Sequence, residues 1–287
     1  MIKILTTGCS FTHDPNSWAN YLKDQYDLTN VAEGGGGNEM NLRNASLELL
    51  TYPYTHIIAQ ISGINRFEII IDEKLDKTFL DYNKLQYDKR EVDGLSKAKV
   101  ISKVHLVNNN ILPKETYTWI KSTGDQRWWR GIQENNFNIF RTSKQISDRL
   151  NAYVKYCHSD IQQIIRTLIG IVNLQKICEI NNVKSLFFCW RNEFEQYEKQ
   201  IQNSAELTNW WDQIDWTKFW FHGKYGGLSE WGIANNFTGA LHEDKTNVPA
   251  KGWHDVDGQK IMIGHPSTEC HWAFAKKIIK PWIEQDA

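Results

Sequence analysis

Apolar residues along the chain gather into short runs bounded by polar turns, and the first run is immediate. Ile2, Ile4 and Leu5, followed by Thr6 and Thr7, read as an amino-terminal β-strand that stops at Gly8-Cys9-Ser10-Phe11-Thr12. Residues 27–32 form a short second run before four consecutive glycines. Residues 56–61 form a continuous third, ending at Ser62-Gly63. Residues 184–190, with Leu186, Phe187, Phe188, Cys189 and Trp190, have the composition of a strand buried on both faces. A weaker fifth run covers 260–263, just before His265.

Helical periodicity fills the gaps. A short helix starts at 18–22, and a second over 38–50 carries Met40, Leu42, Ala45, Leu47, Leu49 and Leu50. The clearest spans about 160–181. Ser159 is placed as its N-cap, Gln162 stands three residues on, and Ile161, Ile164, Ile165, Leu168, Ile171, Val172 and Ile177 make a broad apolar face. A last helix over about 268–284 presents Trp272, Ala275, Ile278, Ile279 and Trp282. Asn38, after the glycines, is expected to cap the helix it precedes.

Alternation of strands and helices with short connections predicts an α/β domain with a parallel sheet and helices on both sides. In such sheets binding sites lie beyond the carboxyl ends of the strands. Two regions break the alternation: about 72–149, which is polar and charged, and 194–258, a Trp-rich stretch with Trp210, Trp211, Trp216, Trp220, Trp231, Trp253 and several glycines. Both are too long for plain loops and are expected to fold as insertions or a cap on a single domain spanning 1–287.

Composition narrows the function. The 287 residues suffice for one large core. Lys+Arg 33 against Asp+Glu 34 leaves a net charge of −1, so no global field favours nucleic acid or an anionic membrane. Five scattered cysteines without a Cys-x-x-Cys argue against a disulfide framework or a structural zinc site. With no signal-peptide pattern at the start and no apolar run near membrane-span length, the expected location is cytoplasmic. Thirteen tryptophans read either as a sugar-stacking face or as core aromatics. Their apolar neighbours favour the core.

Chemistry concentrates at the predicted strand ends. Ser10 follows the first strand, in a tight turn that exposes its hydroxyl and frees its N–H, as a nucleophile that also donates to an oxyanion requires. Asn30-Val31-Ala32-Glu33-Gly34-Gly35 follows the second strand. Ser62-Gly63-Ile64-Asn65 follows the third, with Arg66 and Glu68 beyond it as an ion pair or as substrate contacts. His265-Pro266-Ser267 precedes the last helix. A phosphate-binding loop fails: Glu39 stands where the third glycine of Gly-x-Gly-x-x-Gly belongs, and there is no Gly-Lys-Ser/Thr. His254-Asp255 and His242-Glu243-Asp244 lack metal-site spacing, and no cofactor is expected.

In these blocks the chain resembles the SGNH (GDSL-like) hydrolase superfamily, and more closely a phage- and bacterium-encoded branch with an opening Gly-Cys-Ser-Phe-Thr and a closing His-Pro-Ser. The resemblance covers about 1–70, 150–192 and 259–287. It implies a three-layer α/β/α sandwich with a mostly parallel five-stranded, flavodoxin-like sheet, and ester hydrolysis through an acyl-serine. Residue by residue it makes Ser10 the nucleophile, Gly35 and Asn65 oxyanion donors beside the Ser10 N–H, and His265 the base, with His271 the second histidine to consider.

The sequence departs from the family in two places. Cys9 replaces the aspartate of Gly-Asp-Ser, and Met262 and Ile263 stand where an aspartate should precede the histidine. That acid orients the imidazole and stabilises its cation. Asp255 or Asp257 can supply it from the preceding loop, or a backbone carbonyl can orient the ring in a Ser–His dyad. Cys9 itself is expected to face the core. The resulting expectation is a serine esterase acting on a small acyl ester, such as an O-acetyl group on a glycan. The competing expectation is a catalytically degenerate SGNH-like protein, either carbohydrate-binding or virion-associated if phage-encoded.

Overall fold

The computed structural model describes residues 2–33, 36–64, 66, 68–72, 99–101, 117–121, 156–237, 253–256, 259–262 and 266–285. In chain order the first half contains β1 (Lys3–Thr7), α1 (Ser10–His13), α2 (Trp18–Lys23), β2 (Asp27–Asn30), α3 (Asn38–Thr51) and β3 (His56–Ile61). Three short strands follow, β4 (Glu68–Asp72), β5 (Lys99–Ile101) and β6 (Tyr117–Lys121). The second half holds α4 (Asp160–Ile180), β7 (Lys184–Cys189), α5 (Glu198–Gln202), α6 (Ala205–Asp212), β8 (Phe219–Trp220), α7 (Leu228–Ala234), β9 (Trp253–Val256), β10 (Gln259–Met262) and α8 (Thr268–Phe274). A π-helical turn, Ala275–Ile279, links α8 to α9 (Lys280–Glu284). Pro281, in the first turn of α9, has no N–H to return to the Lys277 carbonyl, a usual cause of irregular helix geometry.

β1, β2, β3, β7 and β8 form one all-parallel sheet in the order β2-β1-β3-β7-β8. Ile4 stands opposite His56 and Thr7 opposite Ala59; on the far side of β3, His56 pairs Lys184 and Ile61 pairs Cys189. Because side chains alternate across a strand, each central strand feeds two cores. Leu5, Ile57, Ala59, Ile61, Phe187 and Cys189 point into one, with Leu42, Ala45 and Leu49 of α3 and Ile164, Leu168 and Ile171 of α4. Ile4, Ile58, Leu186 and Phe188 point into the other, with Trp18 and Leu22 of α2 and Phe274, Ala275, Ile279 and Ile283 of the carboxyl-terminal helices. Helix, sheet and helix are therefore three layers, and burial on both faces explains why β3 and β7 are nearly unbroken apolar runs.

Several expectations need correction. The run at 260–263 does not join the parallel sheet; Gln259–Met262 pairs antiparallel with Trp253–Val256. The fifth strand is instead the two-residue Phe219–Trp220, from within the Trp-rich region. Much of that region belongs to the core: Phe194, Tyr197, Ile201, Leu207 and Ile214 pack in one cluster, Leu228 and Trp231 in the other. Trp210, Trp211, Trp216, Trp220 and Trp282 pack against these clusters, as the core reading of the tryptophans anticipates, whereas Trp272 is exposed. In the other, polar region β4, β5 and β6 form an antiparallel sheet of their own, beginning at Glu68, before the expected boundary at 72. Ser159 occupies the N-cap of α4 without a side-chain capping bond.

Candidate active site

β1 lies between β2 and β3, and the sheet order changes direction at the β1–β3 pair. The turn after β1 is thus at the crevice where parallel α/β sheets place ligands. Gly8 leaves the strand with φ +153°. Cys9 then takes the N-cap position of α1, and its carbonyl accepts from the N–H groups of Thr12 and His13, both at 2.9 Å. Cys9, Phe11 and Thr12 are buried, but Ser10 is only partly so. The Cys9 thiol does face the core, 3.3 Å from the Gln60 amide nitrogen.

Gln60 is a buried amide in the middle of apolar β3. Its Oε1 accepts from Thr12 Oγ1 at 2.7 Å, so it anchors the turn carrying Ser10 from beneath. The one polar residue in the otherwise apolar end of that run was its sequence signal. The turn after β2 is stitched to the same place. Asn30 Nδ2 donates to the Thr12 carbonyl at 2.9 Å, the Glu33 N–H donates to the Gly8 carbonyl at 3.0 Å, and His13 Nδ1 lies 2.9 Å from the Ala32 carbonyl. Gly35, the predicted oxyanion donor, lies outside the described residues, as does Asn65.

The turn after β3 is held against the glycine segment by Asn38. This side chain does not cap α3, whose N-cap is Gly37. It instead bridges Ser62, accepting from its N–H at 2.6 Å and donating to its carbonyl at 3.1 Å. An exposed cap gains about 1 kcal/mol, while a buried amide satisfying two backbone groups avoids a larger desolvation penalty. Ser62 Oγ donates to the Gly36 carbonyl at 3.1 Å, and Arg66 Nη1 donates to Ser62 Oγ at 2.8 Å and to the Gly36 carbonyl at 3.2 Å. Arg66 therefore ties two turns together. Glu68 begins β4, and its side chain is not among those described.

The turn after β7 adds residues that sequence reasoning missed. Trp190 packs edge-on against Phe11, with ring centroids 5.0 Å apart at 74°. The Arg66 and Arg191 guanidiniums lie 5.8 and 4.3 Å from the Trp190 ring centre. Glu193 is buried and accepts from Trp190 Nε1 at 2.7 Å and from Arg191 Nε at 2.6 Å. Beneath this turn, burial pushes the Cys189 thiol well up, with Glu193 and Glu230 adding to the effect. The signal was a run of polar and charged residues, Arg191-Asn192-Glu193, directly at a predicted strand end.

Of the base and acid candidates, His265 and Asp257 lie outside the described residues. Asp255 is in β9, opposite Lys260 of β10. Ser267 caps α8 by accepting from the Cys270 N–H at 3.3 Å. His271 is buried in α8 with its ring edge-on to Phe11, centroids 5.9 Å apart, which brings it beside the residue following Ser10. Among the described residues, no group of three or more His, Cys, Asp or Glu side chains is arranged to hold a metal ion, and no helix is long and apolar enough to cross a membrane. Compared with protein-family models, curated proteins and solved structures, the chain shows no match.

Proposed function

We propose that the protein is a serine esterase of SGNH type, cleaving a small acyl ester such as an O-acetyl group on a glycan. The observation that carries this reading is the setting of Ser10. It is a partly exposed serine between buried neighbours, at the start of α1 and the carboxyl end of a central parallel strand, with the turns after β2, β3 and β7 fastened around it. In the proposed reaction Ser10 Oγ attacks the ester carbonyl while His265 takes its proton and returns it to the leaving alcohol. The N–H groups of Ser10 and Gly35 and the Asn65 amide hold the oxyanion. Water, activated by the same histidine, then releases the acid.

A fluorophosphonate probe tests this together with p-nitrophenyl acetate hydrolysis. Wild type is expected to be labelled and to turn over, and Ser10→Ala to lose labelling and roughly 10⁴-fold or more of kcat. His265→Ala is expected to match Ser10→Ala, while His271→Ala, which removes a ring packed on Phe11, costs mainly stability. Absence of labelling and turnover in folded wild type refutes the hydrolase and leaves the carbohydrate-binding alternative.

A further inference from the structure

Glu193 is the most demanding polar group near Ser10. Its side chain is 1% exposed, and both oxygens are in use. Oε1 accepts from the Trp190 indole N–H at 2.7 Å and from Arg191 Nε at 2.6 Å; Oε2 accepts from the Ile64 backbone N–H and from Gln196 Nε2, each at 3.3 Å. Four donors converge on one carboxylate, and an ionised carboxylate offers about four lone-pair sites, all accepting. A glutamine cannot replace it, since its NH₂ would face donors at whichever end it occupied. Burying a carboxylate costs several kcal/mol unless it is fully bonded, so a simple loop tie has cheaper solutions.

What the carboxylate joins gives the group its meaning. The Ile64 N–H belongs to the turn after β3, one residue before Asn65 in the chain. The Trp190 indole belongs to the turn after β7 and packs edge-on against Phe11, the residue after Ser10. Arg191 both pairs with Glu193 and lies over the Trp190 ring, so the indole is held by its N–H and on its face.

We infer that Glu193 is a positioning residue for hydrolysis at Ser10: its carboxylate clamps the Ile64 turn and the Trp190 ring into one rigid wall against the first turn of α1. This inference rests on the esterase reading, and it adds a residue that does not touch the reacting atoms. Misplacement of a catalytic constellation by about 1 Å can cost on the order of 100-fold in rate. The clamp therefore acts on kcat rather than on substrate affinity.

The test compares wild type, Glu193→Gln, Glu193→Asp and Trp190→Phe in p-nitrophenyl acetate hydrolysis and fluorophosphonate labelling, each well below its own melting temperature. Glu193→Gln is expected to lower kcat about 10- to 100-fold with KM within about threefold. Glu193→Asp, which keeps the charge and the acceptors, is expected to recover part of that loss. Trp190→Phe, which removes one donor and retains the ring packing, is expected to lose a few-fold in kcat and keeps the test available if Glu193→Gln fails to fold. Active wild type with kcat unchanged in these variants, a loss confined to KM, or equal losses in Asp and Gln overturns the inference alone. A folded wild type that neither labels nor turns over overturns the esterase reading, and this inference with it.

Discussion

Replacing Gly8 by alanine is a sharp probe of how the turn bearing Ser10 is built. A Cβ there would lie 2.6 Å from Thr12 Oγ1 and 2.8 Å from both Cβ and Oε1 of Gln60, where ordinary contact begins at about 3.4 Å. None of these atoms moves freely. Gln60 is buried and engaged by Thr12 at 2.7 Å and by Cys9 at 3.3 Å. Making room means breaking the Thr12–Gln60 bond inside the core, which costs about 1–3 kcal/mol for the polar group left unsatisfied. The backbone adds a second penalty, because φ +153° is a conformation essentially confined to glycine and costs a further 1–3 kcal/mol or so. The expected loss is about 2–6 kcal/mol, a melting temperature lower by roughly 5–20 °C for a chain of this size.

Gly223→Ala is the matched control. Gly223 also has positive φ, +68°, but nothing lies within 4 Å of its added Cβ, so only the backbone penalty of about 1–2 kcal/mol applies. Thermal melts by circular dichroism of both variants, with denaturant titration, measure the difference. A Gly8→Ala shift no larger than that of Gly223→Ala refutes the argument that Gly8 is required by crowding against Gln60. In folded Gly8→Ala protein, fluorophosphonate labelling of Ser10 should also slow, since Thr12 and Ser10 share the first turn of α1.

Two further predictions concern titratable groups. Of the five cysteines, Cys157 is exposed, Cys9 is fully buried, and burial pushes the Cys178 and Cys270 thiols to about 12 and the Cys189 thiol well up. Brief iodoacetamide treatment of native protein at pH 8 should therefore add one label, on Cys157, and five after unfolding; rapid native labelling of any other cysteine contradicts the packing described. Burial lowers the pKa of His158 below 6.5, against the raising effect of Asp160 at 3.8 Å and with Arg166 lowering it further. The unfolded chain then binds the proton first as pH falls, so the stability this imidazole contributes is present above about pH 6.5 and lost as pH drops from there toward its folded value. The fall in melting temperature between pH 7.5 and 5.5 should be smaller in His158→Gln than in wild type, and an equal fall counts against the assignment.

The strands most legible in advance are those whose environment is uniform; β2, at the sheet edge, showed only as the short run before the glycines. β1, β3 and β7 lie inside a sheet covered on both faces, and a run such as Ile57-Ile58-Ala59, fully buried and bounded by turn residues, has the composition that position requires. Phe219–Trp220 at one edge, and the pairing of the strand before His265, escaped because their partners, not their own residues, decide their state. Phe219–Trp220 is a strand only because Phe187 and Phe188 of β7 stand beside it, and two residues carry no period. Lys260-Ile261-Met262 has the apolar content of a strand, but nothing in that content distinguishes a parallel sheet from the hairpin that Trp253–Val256 provides. Helices α3 and α4 were legible from their apolar faces, within a residue or so at each end.

At the candidate site the division is different. The position of Ser10 in the turn after β1 was legible because the apolar run breaks off at Gly8. The groups that support it were not, because Asn38, Gln60 and Glu193 act on partners 24, 48 and 129 residues away. Local rules gave Asn38 a helix cap, the nearest orphan donors in sequence; folding presented it with the Ser62 backbone, whose buried N–H and carbonyl are costlier to leave unpaired. Gln60 and Glu193 violated expectation in the same way, a polar side chain in an apolar run and a carboxylate driven to 1% exposure. Each interrupts the pattern at the carboxyl end of a parallel strand, and each is bonded to a turn other than its own. The burial cost of these groups is therefore spent on fixing the turns relative to one another, which is the requirement of a site assembled from segments far apart in the chain.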